Sequence, residues 1–320
     1  MQHLEVIGFV FTAILPVYLL TALGVLLRRM GWLSEDFLRD GSRIVFNFAA
    51  PTMLFLSLSS AELSITQAPR FLYVSVALLV FMSLLAWALS RLIVSQRADR
   101  GVFIQGATRG NLLISGLAMA YNVYGVEGVA LASLPMGIYI IFNNIYSISV
   151  LKFYAQNADH QEGSSAKNYL SDIAKNPIII SVVLGTIAGA IEFKLPEALA
   201  NSGRLLGQLT VPLVLINVGA SLDFAQLRSP SLAGWGAALY KCLLMPALGV
   251  PIAWYCGLRG MELGIVFLVL SSPTSTISVV FAQVFGGNAK MAANIVLLGG
   301  LFSFVIVVCG LIFLRTAGLA

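Results

Sequence analysis

The chain is poor in charge. Of its 320 residues 10% are charged and 58% hydrophobic, whereas soluble domains carry roughly 25% charged residues; a soluble fold is excluded and an integral membrane protein indicated. Histidine is nearly absent, with His3 ahead of the first apolar run and His160 in the one long polar stretch. An intramembrane hydrolase needs a buried nucleophile beside a base, and a metal enzyme needs a ligand cluster. Neither pattern occurs, so no enzyme activity, metal site or cofactor is expected. Cys242, Cys256 and Cys309 stand singly in apolar runs without metal-ligand spacing and read as small packing residues. No acidic residue falls at mid-span depth, since Glu62, Glu192, Asp223 and Glu262 all sit at predicted span ends. That absence weakens ion coupling through a buried carboxylate, although backbone carbonyls beside Pro273 remain as sodium ligands. The positive residues are scattered over loops and form no patch, which argues against nucleic acid as a partner.

What is abundant is apolar sequence of membrane-crossing length. A helix needs roughly 20 apolar residues to cross about 30 Å of hydrocarbon. Runs at 4–27, 44–58, 71–94, 102–121, 128–151, 176–191, 205–222, 232–255, 263–285 and 292–314 meet or approach this, about ten spans. The first is expected to be retained, because residues 1–7 carry no Lys or Arg and the run is too long for a signal h-region. Arg28, Arg29, Arg39, Arg43, Arg91, Arg97, Arg100, Lys152, Lys167, Lys175, Arg228 and Lys290 fall in loops on one side, and Arg70, Lys194, Arg204, Arg259 and Arg315 on the other. The positive-inside rule then places both termini on the non-cytoplasmic face, in a bacterial inner membrane. Residues 31–40 read as a charged linker with Ser34 as a possible N-cap, and Pro16 as a bend in the first span.

Landmarks recur at a fixed offset. Pro16 and Pro177, Gly24 and Gly185, Arg43 and Arg204, Pro51 and Pro212, Ser60 and Ser221, and Gly125 and Gly286 are each 161 positions apart. The chain therefore reads as a duplication: residues 1–152 form a first five-helix repeat, 153–174 a polar central cytoplasmic loop, and 175–320 a second repeat. An odd number of spans per unit inverts the second in the membrane.

Two spans are interrupted by polar residues, glycine or proline: 108–125, TRGNLLISGLAMAYNVYG, and 271–287, SSPTSTISVVFAQVFGG. Unpaired backbone polar groups cost several kcal/mol in hydrocarbon, so such breaks survive only inside protein or beside a water-filled cavity. Arg109 lies roughly 10 Å into its span and Lys241 roughly 14 Å into the eighth at 1.5 Å rise per residue. Each either faces a cavity or, for Arg109, snorkels to the interface. Ser271, Ser272, Thr274, Ser275, Thr276 and Ser278 crowd around Pro273; with Asn111 and Ser115 they are placed either to glue helices together or to donate hydrogen bonds to a carboxylate. Asn47, Thr52, Ser57 and Tyr121 are second-rank candidates, Thr52 and Ser57 being equally suited to satisfy carbonyls freed by Pro51. Unpaired positive charge at depth calls for a small organic anion.

At these residues the chain resembles the auxin efflux carrier family, which includes the plant PIN carriers and bacterial malonate or auxin-type permeases. The likeness rests on Arg109-Gly110-Asn111, then Gly116, Tyr124 and Gly125; on Pro273 with Phe281, Ala282, Gly286 and Gly287; and on Lys241 five residues before Pro246. Ala118 and Ser278 stand where crossover prolines are usual. The resemblance implies an all-α integral membrane fold of ten transmembrane helices in two inverted five-helix repeats, similar to NhaA and the bile-acid symporters, with the fourth and ninth helices broken where they cross. It also implies a homodimer, elevator-type alternating access and Asn111 as a carboxylate contact. The expected protein is a secondary transporter of a mono- or dicarboxylate such as malonate or an auxin-like acid, with Asn111, Arg109, Ser115, Lys241, Ser272, Pro273, Thr274, Ser275 and Thr276 at the substrate and Asn47, Thr52, Tyr121 and Ser278 around them. The alternatives are a sodium-coupled symporter of the bile-acid type and a membrane sensor that binds a ligand without moving it.

Overall fold

The structure, a computed structural model, describes residues 2–59, 69–154, 177–220 and 231–320. The landmarks Ser60 and Ser221, the span ends Glu62 and Asp223, and all but the start of the predicted central loop lie outside the described residues. Within them the chain is helical: α1 (Gln2–Arg29), α2 (Glu35–Ile44), α3 (Ala50–Ser59), α4 (Pro69–Ile93), α5 (Arg97–Thr108), α6 (Leu117–Tyr154), α7 (Pro177–Ala190), α8 (Glu197–Gln208), α9 (Thr210–Ala220), α10 (Leu232–Leu239), α11 (Met245–Tyr255), α12 (Gly260–Ser271), α13 (Ile277–Val284) and α14 (Ala289–Thr316). Among the described residues, five helical stretches are long and apolar enough to cross a membrane, namely α4, Pro135–Tyr154 within α6, Glu197–Ala220, Leu232–Tyr255 and α14.

Local chemistry explains most boundaries. The supposed linker after α1 is itself largely helix: Ser34 caps α2 by accepting the Phe37 N–H at 3.1 Å, and Glu35 and Asp36 in the first turn and Arg43 in the last complement the helix dipole. Pro16 does not interrupt α1, which runs through it. Pro51 and Pro246 act differently. Each is preceded by a five-residue π-helical turn, Val45–Ala49 and Tyr240–Leu244, ending two residues before the proline. A proline withdraws one N–H and crowds the carbonyl four residues back, and widening the preceding turn is a way of absorbing both effects.

Glycines set the closest helix contacts. α1 packs along α9, and α3 along α7. A Cβ on Gly24 would collide with the Ile216 carbonyl, and one on Gly185 would lie 2.9 Å from the Phe55 carbonyl oxygen. Ile216 is 161 positions after Phe55, as Gly185 is after Gly24, so each contact is the counterpart of the other. Small residues permit this backbone approach where lipid offers helices no hydrophobic incentive to associate. Gly125 (φ 64°) and Gly286 (φ 74°), also 161 apart, take the left-handed backbone region at the ends of the two interrupted stretches.

The deepest part of the molecule is built from α5, α12 and α14 around the two breaks. Residues 101–108 of α5 and 263–271 of α12 are buried on every face. Each helix has 12 residues, about 18 Å at 1.5 Å per residue and too short to cross a bilayer. They are half-helices enclosed by protein, which is where an interrupted backbone can survive.

Candidate functional site

The breaks fall at residues 109–111 and 272–276, and they meet. Gly110 and Thr274 form an antiparallel bridge; the Asn111 N–H donates to the Pro273 carbonyl at 2.7 Å, and the Ser275 N–H to the Arg109 carbonyl at 3.0 Å. Two backbone donors and two acceptors that helix geometry would have left unmade are thereby paired. Gly110 is required by proximity, since a Cβ there would strike the Ser272 hydroxyl and lie 3.3 Å from Lys241 Cε.

The half-helix ends are capped one carbonyl at a time. On α12, Ser272 Oγ donates to Val269 O at 2.8 Å, Lys241 Nζ to Leu270 O at 2.8 Å, and Ser303 Oγ to Ser271 O at 2.7 Å. On α5, Thr274 Oγ1 donates to Gly106 O at 2.7 Å. Gln105 Nε2 also reaches Ser278 O across the crossing at 3.0 Å. The negative end of a helix dipole favours a cation, and fully buried Lys241 supplies one to α12. The π-helical turn before Pro246 contains this lysine.

Arg109 is buried too, and its guanidinium is turned towards α6. It donates to Asn144 Oδ1 at 2.6 Å and to Ser147 Oγ at 3.4 Å, and it stacks 4.3 Å above the Phe281 ring on α13. It therefore ties both broken helices to the part of α6 that follows the kink at Gly125 instead of snorkelling away.

In front of the crossing lies a cavity of about 350 Å3. Asn111, Ser115, Pro273, Thr274 and Thr276 line it from the crossing. Tyr18 and Thr21 of α1, Leu215 and Val218 of α9, and Leu297 and Phe304 of α14 complete the wall. Among the described residues that line it there is no Asp or Glu. Arg109, Lys241, Ser272, Ser275 and Ser278 are buried behind the crossing and do not line the cavity. Of the second-rank candidates, Tyr121 lines a different cavity, Asn47 donates to the Arg43 carbonyl at 2.8 Å, and Thr52 packs against α8, 3.2 Å from where a Gly203 Cβ would lie. The Ser57 side chain lies outside the described set. The walls from α1, α9 and α14 were not foreseen. Tyr18 and Thr21 are two of four polar residues, with Glu5 and Thr12, in an otherwise apolar first span, a signal too weak to orient that helix from sequence.

Buried half-helices, a bridged crossing and a cavity walled by several helices define a multi-pass membrane transporter. The chain belongs to the membrane transport protein family, the auxin efflux carriers, whose model matches residues 9–309. It is 25% identical over 301 residues to an uncharacterized transporter of Methanocaldococcus jannaschii, covering 92% of this chain and 95% of that one. It is 25% identical over 280 residues to an uncharacterized transporter of Methanothermobacter thermautotrophicus, covering 84% and 86%. It is 23% identical over 291 residues to the uncharacterized transporter YfdV of Escherichia coli, covering 88% and 92%. Family and relatives agree with a transport protein rather than an enzyme.

Proposed function

We propose that the protein is a secondary transporter that moves a small organic anion, a mono- or dicarboxylate such as malonate or an auxin-like acid, by elevator-type alternating access. The observation that carries this reading is the cavity at the crossing, which combines the Asn111 amide and the Ser115 and Thr276 hydroxyls with a largely apolar opposite wall. A cavity of about 350 Å3 falls within the range of small-molecule sites. The second halves start at Leu112 and Ile277, beside the crossing, and each start carries the positive end of a helix dipole. Arg109 and Lys241 act from behind the crossing, holding it together and adding positive potential, while Asn111 and the Ser115 and Thr276 hydroxyls touch the carboxylate and Thr274, whose hydroxyl is spent on the Gly106 carbonyl, shapes the wall. Buried cations without a carboxylate in the cavity wall favour an anionic cargo.

The architecture that goes with this reading has ten transmembrane helices in two inverted repeats, 1–152 and 175–320, joined by 153–174. The reciprocal contacts of Gly24 with Ile216 and Gly185 with Phe55 support it, since only a two-fold relation exchanges such pairs. Both termini lie on the non-cytoplasmic side of the inner membrane, and the protein acts as a homodimer in the bilayer.

The test is a thermal-shift screen of the purified protein against malonate, phenylacetate and indole-3-acetate, with and without sodium. A ligand at 100 times its Kd stabilises by about 2.7 kcal/mol. At least one carboxylate is expected to raise the melting temperature of the wild type by more than that of Asn111→Ala. Equal shifts in both proteins would reject the site, and a shift that requires sodium would select the sodium-coupled mechanism.

A further inference from the structure

A second cavity, of about 530 Å3, adjoins the first. Its walls include Met53 and Leu56 of α3, Tyr121 and Asn122 of α6, and Arg204 and Gln208 of α8. Arg204 and Gln208 are four residues apart on one helix and so share a face. Gly203 and Gly207, the neighbouring pair, let α8 approach α3: a Cβ on Gly203 would lie 3.0 Å from Leu56 Cδ1, and one on Gly207 3.3 Å from Met53 Cα. This close approach brings the guanidinium to the rim of a hollow whose other walls are mostly apolar, with Tyr121, Asn122 and Gln208 as the uncharged polar groups.

Arg204 has a counterpart whose charge is cancelled. Arg43, 161 positions earlier, donates to Asp40 Oδ1 at 3.3 Å, three residues before it on its helix. Arg204 makes the same contact with Asn201, three residues before it on α8. Asp40 and Asn201 are also 161 apart. The local hydrogen bond is thus kept in both copies while the carboxylate is present in only one. Among the described residues no carboxylate lies in ion-pair range of Arg204.

The two cavities share a wall. Ala118 and Leu215 form a small buried cluster with Tyr18, Leu20 and Val211 against them. Leu215 and Tyr18 face the crossing cavity, and Leu20 and Val211 face the Arg204 cavity. A solute in the second cavity is therefore separated from Asn111 by one layer of apolar side chains.

We propose that the second cavity is a carboxylate-binding vestibule, in which Arg204 holds a small organic anion by its charged end while the apolar wall takes its body and the Tyr121 hydroxyl and Gln208 amide supply further donors. This rests on the reading of the protein as an anion transporter, and it adds a station separate from the crossing. An unneutralised arginine is the natural partner for a carboxylate, which it binds through parallel N–H donors.

The test uses the full-length protein in phosphatidylcholine nanodiscs and equilibrium binding of radiolabelled phenylacetate. Asn201→Asp recreates the pair that Arg43 already makes, so it neutralises Arg204 without disturbing the fold, which an unchanged melting temperature checks. In an Asn111→Ala background, phenylacetate is expected to bind at a remaining site, and adding Asn201→Asp is expected to weaken that site by roughly tenfold, the factor that 1.4 kcal/mol confers. Arg204→Gln should do the same. Unchanged affinity in both variants, or a wild type that binds no phenylacetate, overturns the proposal. So does loss of binding when phosphatidylglycerol replaces phosphatidylcholine, because the arginine would then belong to a lipid phosphate. If Asn111→Ala binds as much phenylacetate as the wild type while Asn201→Asp still weakens binding, the vestibule stands and the crossing site fails.

Discussion

At the scale of single residues, Lys241 shows how a costly group can be structural and still serve function. Its ammonium is fully buried and donates to Leu270 O at 2.8 Å, where regular helix geometry supplies no partner. Replacing it by methionine keeps most of the stem volume and removes the donor. Leaving a buried acceptor unsatisfied costs about 1–3 kcal/mol, so Lys241→Met is expected to lower the melting temperature while the folded fraction still binds carboxylate. Lost binding at unchanged stability would instead make the lysine a substrate contact. Sequence alone marks Lys241 as expensive at its depth but not what it answers, because Leu270 lies 29 positions on. The same holds for Thr274, whose hydroxyl reads as one of a cluster around Pro273 until its acceptor, Gly106, is seen on α5, 168 positions away.

At the scale of elements, the legible features were those that depend on local backbone chemistry. Pro273 in one stretch and Gly110 in the other announce broken helices because proline lacks an N–H and glycine tolerates strained backbone, and the breaks at 109–111 and 272–276 fall where those residues are. The π-helical turns before Pro51 and Pro246 were not legible, since proline permits several distortions and tertiary packing chooses among them. The glycine pair at 24 and 185 lies between: the spacing is visible in the sequence, the contact only in three dimensions. Adding a methyl group there forces two helices apart. Overpacking of this kind costs about 1–3 kcal/mol, so Gly24→Ala and Gly185→Ala should each lower the melting temperature of the detergent-solubilised protein. Gly300→Ala, where a Cβ meets nothing within 4 Å, should leave it unchanged. Equal melting temperatures for all three variants would mean that the close approach of α1 to α9 and of α7 to α3 carries no stability.

At the scale of the whole molecule, the two cavities and the layer between them define what has to move. Ala118 belongs to α6, which continues from the crossing, and Leu215 to α9, which packs along α1. If the crossing travels as a body past α1 and α9, this contact must open, because packed side chains shift between discrete arrangements instead of stretching. A bridge between these two positions would then hold the transporter in one state. Native thiols complicate the experiment only slightly: Cys242 is buried, and Cys256 and Cys309 are exposed and can be replaced by serine. In that background, Ala118→Cys with Leu215→Cys, joined by a mercuric ion, is expected to abolish uptake of phenylacetate into proteoliposomes. Removing the metal with excess thiol is expected to restore it. Each single-cysteine variant should transport with or without mercury. Full uptake by the bridged double variant would show that α6 and α9 stay together throughout the cycle, and the motion would then have to be sought between other elements.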